Sequence, residues 1–265
     1  MKRIFTFGCS FTSYFWPTWA DILIEEYKNQ GYEGYNFGRC GAGNQYIFTK
    51  LIEANIHYNF NENDVIIVAW SSIAREDRFK NGEWFTSGNI FSQNVISKDF
   101  VDKWANPDHY MVRDYAIVSG TKFLMNSLKC KFINFSLNDF SIYDYNIDDN
   151  PDLDKKNINA FYGNNLKMDA PNMFENAVNL KSKRPIVKII INGEDGTSIE
   201  HHPTPSEHLE YTKKYLLPLL SIDLSPKTID FVNEWISKID NSTGLISHHE
   251  TGWKVDKDYF DFFVV

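Results

Sequence analysis

The run Asp64-Val65-Ile66-Ile67-Val68-Ala69-Trp70 is apolar without a break after its first residue. A strand of that composition has both faces buried, the pattern of a parallel sheet covered by helices on either side. Two shorter runs share its design. Ile4, Phe5 and Phe7 stop at Gly8, and Tyr35 to Phe37 stop at Gly38. The three strands deliver small-residue loops at 8–12, 38–44 and 70–75, with helical patterns between them. In an open parallel sheet such loops converge at the carboxyl edge, where ligands bind. The expectation is an α/β chain with a mostly parallel central sheet and a site at that edge.

The remaining periodicity fills in the layers. Pro17 suits a first helical turn, and Trp19, Ile22, Leu23 and Tyr27 follow at helical spacing. Ile47, Leu51, Ile52 and Ile56 mark a second helix. Asp108 to Leu128 reads as a long third one, with Tyr115, Val118, Phe123, Leu124 and Leu128 on one side. Lys131 to Ser136 is a fourth strand. Residues 76–106 are polar, aromatic and weakly periodic, and read as an insertion over the sheet edge. A second insertion covers 138–185, rich in Asn and Asp, with one short helix around Met173 to Leu180. Ile186 to Ile191 is short and β-branched, hence a strand. Pro205 to Leu220 is helical. Ser225-Pro226 opens a last helix to about Ile239, with Ile229, Val232, Ile236 and Ile239 in a stripe. The expected organisation is one domain over 1–222, followed by a C-terminal helix and aromatic tail over 223–265. That tail would pack on the domain or on a partner, including a second copy.

Composition removes several function classes. With 43% hydrophobic residues in 265, a sizeable core is available. The 27 basic against 35 acidic residues give a net charge of −8 with no Lys/Arg block, which disfavours a nucleic-acid surface. No run reaches the roughly 18 apolar residues of a membrane span. Met1-Lys2-Arg3 leads straight into a strand without a small-residue cleavage site, so no secretory signal is expected. Three cysteines without metal-ligand spacing fit a reduced, cytoplasmic setting and no metal or other cofactor. The 16% aromatic content, seven Trp included, is first of all core. Flat aromatic surface for stacking on sugars is the second reading.

Two stretches carry chemistry. Ser10 follows Gly8-Cys9 at the end of the first strand, where a nucleophile is exposed beside N–H groups able to stabilise an oxyanion. Read alone, Ser10 is first of all a helix N-cap, and the case for chemistry comes from elsewhere in the chain. Far along the chain, Glu200-His201-His202-Pro203 sets a His before a Pro, after a glycine-containing loop from Gly193 to Gly196. A carboxylate two residues before a rim His is one way a nucleophile's general base is oriented; a surface His pair without a task is the alternative. Arg75 and Arg78 follow the third loop, where an Arg can grip a substrate anion. His248-His249 with His201 would make a metal site only without supporting spacing. Cys9 and Cys40 lie in neighbouring loops as small packing residues, with a Cys9 thiolate nucleophile as a minority reading.

In order, Gly8-Cys9-Ser10, Asn36-Phe37-Gly38-Arg39-Cys40-Gly41 and the acid-x-His-Pro near the last third resemble the SGNH (GDSL-type) hydrolase superfamily. The resemblance covers roughly 2–72 and 186–220. It implies a three-layer α/β/α, flavodoxin-like fold and a serine ester hydrolase or acyltransferase acting on a small or carbohydrate-linked acyl ester. Ser10 matches the nucleophile and one oxyanion N–H, Gly41 a second donor, and His202 the base. Glu200 stands where an Asp orients that base, with Asp195 a rival. Three departures stand out. Cys9 replaces the Asp of the first block. Trp70-Ser71-Ser72 replaces the third block and its oxyanion Asn, leaving Ser72, Arg75 or Asn44 to substitute. Glu replaces Asp. Cys9, Asn44, Trp70 and Arg75 are the expected substrate contacts. The rival class is a non-catalytic module that binds a glycan or a protein partner through the same edge.

Overall fold

Backbone order follows the apolar runs closely. In chain order the first elements are β1 (Arg3–Gly8), α1 (Trp19–Asn29), β2 (Glu33–Gly38), α2 (Asn44–Tyr58) and β3 (Asp64–Trp70). A hairpin of β4 (Arg75–Lys80) and β5 (Glu83–Asn89) follows, then α3 (Lys98–Trp104), α4 (Pro107–Leu128) and β6 (Lys131–Ser136). The last part holds α5 (Leu153–Tyr162), α6 (Met173–Ala177), β7 (Ile186–Ile191), β8 (Glu194–Ile199), α7 (Pro205–Tyr211), α8 (Leu217–Leu220), α9 (Pro226–Ile239) and β9 (Ile246–Ser247). The computed structural model describes residues 1–91, 96–140, 153–180, 184–191, 194–242, 244–247 and 253.

The central sheet is parallel with the order β2-β1-β3-β6. The chain steps from β1 to β2 in one direction and from β2 to β3 in the other. Right-handed crossovers therefore send α1 and α2 to opposite faces. Helix α1 packs with α7 and α9, and α2 packs with α4, which gives three layers. Every residue of β3 is buried, as a strand covered on both faces requires. At the amino edge, Arg3 donates to both carboxylate oxygens of the buried Asp64, at 2.8 and 2.7 Å, tying β1 to β3. The carboxyl edge is left for the loops. The β6 flank is covered by the second insertion: Asp169 N donates to Asn134 O and Asp169 Oδ2 accepts from Asn134 N, both at 2.8 Å. That pairing protects an otherwise open strand edge.

Several sequence expectations change. Helix α1 starts after Thr18 rather than at Pro17, because Thr18 N is held by Asp21 Oδ2 at 2.8 Å. Residues 76–106 contain a β-hairpin whose turn residues Asn81 and Gly82 both have positive φ, the geometry of a two-residue turn that matches strand twist. Ile56 and Phe123 face solvent instead of the core. The buried side of α4 instead includes Tyr110, Met111, Asp114, Tyr115 and Val118. Ile186–Ile191 is a strand, but it pairs with β8 and β9 in a small separate sheet and not as a fifth central strand. Gly196, expected in a loop, lies in β8. The helix from Pro205 widens into a π turn at Thr212–Leu216 just before Pro218, whose ring and missing N–H disturb regular helical bonding. In the aromatic tail, Trp253 packs against Phe231 and Trp235 of α9, whereas Tyr259, Phe260, Phe262, Phe263, His248 and His249 lie outside the described residues.

Candidate active site

Beyond β1 the chain folds into a turn in which Cys9 O accepts from Thr12 N and Ser13 N, at 2.9 and 3.1 Å. Gly8 is required there, since a Cβ at this position would lie 2.0 Å from Thr12 Oγ1. With α1 capped by Thr18, Ser10 is not an N-cap and does not adjoin a helix start. It faces His202 instead: Ser10 Oγ lies 2.8 Å from His202 Nε2, across 192 positions of sequence. On the other side of the ring, His202 Nδ1 is 2.6 Å from Glu200 Oε1. That oxygen also accepts the N–H groups of His201 and His202, at 2.8 and 2.9 Å. The Glu side chain thus folds back on its own loop. Its extra methylene, compared with Asp, fits an acid placed only two residues before the His. Asp195 has its backbone in β8, and its side chain lies outside the described residues.

The loop carrying His202 is braced from three directions. Arg184 donates to the carbonyls of Glu200 and His202 and forks onto both carboxylate oxygens of Glu207. Trp16 Nε1 donates to Pro203 O at 2.9 Å. Thr204 caps α7, with its N–H on Glu207 Oε2 at 2.8 Å. Two rings of the first loop pack on the imidazole: Tyr14 stacks on it at 3.9 Å between centroids, and Phe11 is tilted at 5.2 Å. Tyr14 also donates its hydroxyl to Glu200 Oε2 at 2.5 Å. Neither Tyr14 nor Arg184 was expected from sequence. Tyr14 lies four residues from Ser10 in the segment that follows β1; nothing local distinguishes Arg184.

The second loop is held by the β4–β5 hairpin. Gly41 has φ +76°, Gly88 N donates to Gly41 O at 3.0 Å, and Thr86 Oγ1 donates to Cys40 O at 2.8 Å. Asp77 of β4 accepts the N–H groups of Gly43 and Tyr46, at 2.8 and 2.9 Å, and so occupies the start of α2. Burial raises the Asp77 pKa, against the pull of those two hydrogen bonds. Among the described residues, the N–H groups of Ser10 and Gly41 have no hydrogen-bond acceptor. An unpaired N–H on the residue that carries the Ser10 hydroxyl is available to an oxyanion.

In the third loop, Arg75 bridges Ser72 and the second loop, with Nε 3.1 Å from Ser72 Oγ and Nη1 3.0 Å from Ala42 O. Because the Ser72 oxygen accepts from the guanidinium, its own proton is free for another acceptor.

Three expected substrate contacts are corrected. Asn44 is fully buried; it pairs with Ser71 and with Asp114 Oδ2. Trp70 has no exposed surface, since β3 is covered on both faces. Cys9 turns into the core at 1% exposure, which also removes the ground for a thiolate nucleophile. Cys40 is exposed, with Sγ 3.6 Å from Ser13 O. No group of three or more His, Cys, Asp or Glu is gathered for a metal among the described residues, and no helix there is long and apolar enough to cross a membrane.

The sheet order and the Ser10–His202–Glu200 line define a layered α/β protein with a serine–histidine–acid arrangement at the carboxyl edge. No family model and no curated protein match the chain. Among solved structures it is similar to a GDSL-like lipase from Bacteroides thetaiotaomicron, at 14% identity over 83% of this chain and 88% of that one, with a TM-score of 0.40. It is also similar to an acetyl xylan esterase, at 12% identity over 62% of this chain and 71% of that one, with a TM-score of 0.33.

Proposed function

We propose that this chain is a serine-dependent ester hydrolase of SGNH type, with Ser10 as nucleophile, His202 as general base and Glu200 as the acid that orients it. One observation carries the reading: Ser10 Oγ, His202 Nε2, His202 Nδ1 and Glu200 Oε1 form an unbroken line of contacts at 2.8 and 2.6 Å. Such a line does chemistry in a known way. Ser10 Oγ bonds to the ester carbonyl carbon as its proton passes to His202 Nε2. The carbonyl oxygen becomes an oxyanion, received by the N–H groups of Ser10 and Gly41 and by the Ser72 hydroxyl. Collapse of the tetrahedral species breaks the bond to the alcohol, which leaves with the proton from His202. A water molecule, or a sugar hydroxyl in a transfer reaction, then repeats the sequence and frees Ser10. Glu200 stays ionised and stabilises the imidazolium.

The acyl ester is proposed to be small or carried on a carbohydrate. Phe85 on the hairpin and Trp104 on α3, 47% and 71% exposed, support the sugar.

The test is covalent labelling. A serine-directed fluorophosphonate is expected to modify the wild type and Cys9→Ala, and to leave Ser10→Ala and His202→Ala unmodified. Hydrolysis of p-nitrophenyl acetate should follow the same pattern. Absence of labelling in the wild type would favour the binding-module reading, for which the missing third-block amide speaks.

A further inference from the structure

We propose that Tyr14 is a positioning residue of this triad, fixing Glu200 with its hydroxyl and backing the His202 ring with its own. The inference rests on the hydrolase reading and deepens it. Two contacts come from one side chain: the hydroxyl donates to Glu200 Oε2 at 2.5 Å, and the ring stacks on His202 with an interplanar angle of 19°. Tyr14 is 4% exposed, and Trp16 meets it edge-on at 4.8 Å, so its rotamer is locked by packing.

The geometry explains why a Glu works at this position. A Glu carboxylate has one more torsion than Asp and is harder to hold. Here Oε1 is fixed by two backbone N–H groups and His202 Nδ1, and Oε2 by Tyr14. Without the hydroxyl, Oε2 loses this bond while Oε1 keeps its three, so the carboxylate is held less firmly in place. Its charge also becomes less dispersed, which favours the protonated imidazole. Burial, then the nearby Glu200 charge, push the Tyr14 pKa far upward, so the group remains a donor throughout the working range. The other titratable or charged groups near this pair are Cys40, Arg184 and His208.

Tyr14→Phe keeps the stacked ring and removes only the hydroxyl; Tyr14→Leu removes both. Circular dichroism and the unfolding midpoint establish that each variant is folded. Fluorophosphonate labelling of Ser10 is followed against pH. Tyr14→Phe is expected to slow labelling by about 10-fold or more, the scale on which hydrogen-bond partners behind a functional histidine act. The acid limb of its profile should move to higher pH, a change that loss of stability alone does not produce. Tyr14→Leu should be slower still. A rate and profile equal to wild type in Tyr14→Phe would overturn the proposal. If the wild type is not labelled at all, the hydrolase reading fails, and the proton resonance of His202 Nδ1–H decides for Tyr14. A shifted or broadened signal in folded Tyr14→Phe supports the clamp; an unchanged one refutes it.

Discussion

Asn44 and Ser71 pair as two neighbouring strand residues do. Ser71 N donates to Asn44 Oδ1 at 2.8 Å, and Asn44 Nδ2 donates to Ser71 O at 3.2 Å and to Asp114 Oδ2 at 3.1 Å. One buried amide therefore holds the loop after β3 against the first turn of α2 and the middle of α4. Burial pushes the Asp114 pKa up to about 6, with Arg113 and Asn44 opposing it. Asn44→Ala would leave a buried N–H, a carbonyl and part of a carboxylate without partners. The expected loss is about 2–4 kcal/mol in urea unfolding, since each unsatisfied buried group costs roughly 1–3 kcal/mol. Labelling of Ser10 should fall as well, because Ser72 is the next residue in the loop this pair holds.

Gly41→Ala tests the second loop. The residue has φ +76°, and a Cβ there would lie 2.5 Å from Thr86 O in the backbone of β5. Relief requires the loop to move away from the hairpin, carrying the Gly41 N–H with it. A stability loss of about 1–3 kcal/mol is expected from backbone strain, together with slower ester hydrolysis at unchanged Ser10–His202 geometry. A variant as active as wild type would remove Gly41 from the set of oxyanion donors.

Ser72→Ala addresses the missing third-block amide. If the hydroxyl polarised by Arg75 Nε receives the oxyanion, kcat falls by about 10²–10³, the usual effect of losing one such donor, while KM changes little. Arg75→Met should act in the same direction, by releasing both Ser72 and the Ala42 carbonyl. An unchanged kcat in Ser72→Ala means that the Ser10 and Gly41 N–H groups suffice.

Much of this architecture was readable in the chain because hydrophobic pattern alone encodes it. The unbroken β3 run demanded two covered faces, and Gly8 and Gly38 are the last residues of β1 and β2. The structure brings Ser10, His202 and Glu200 together, although local sequence could not separate Ser10 from an N-cap. What stayed hidden depends on contacts distant in sequence. Asn44 and Cys9 sit in loops that look ligand-facing, yet the fold turns both side chains inward. Arg184 acts through carbonyls that no pattern announces. The Asn81-Gly82 turn is a local signal set inside a polar, weakly periodic stretch, which masks the hairpin that braces Gly41. Strand β7 was legible as a strand but not in its partner, since pairing is decided by which edge is free.

His208 supplies a test by pH. It is fully buried on α7, neither ring nitrogen has a partner among the described residues, and burial, with a smaller push from His202, lowers its pKa to about 3. The folded state therefore keeps His208 neutral below the pH at which the unfolded chain protonates it, near 6.5. Between those values the unfolded state binds the extra proton, so this contribution is fully present above about pH 6.5 and is lost as pH falls toward 3. Replacing the ring by an apolar side chain removes the effect. In urea unfolding, His208→Leu is expected to gain on wild type by roughly 2–3 kcal/mol between pH 6 and pH 4, from one proton over that interval. Asp114 contributes with the opposite sign, because its raised pKa makes the folded state the better proton binder between about 4 and 6. It is common to both proteins and cancels in the difference. A stability difference that stays flat across this range would mean that His208 takes up its proton in the folded state, with an acceptor or water reaching the ring.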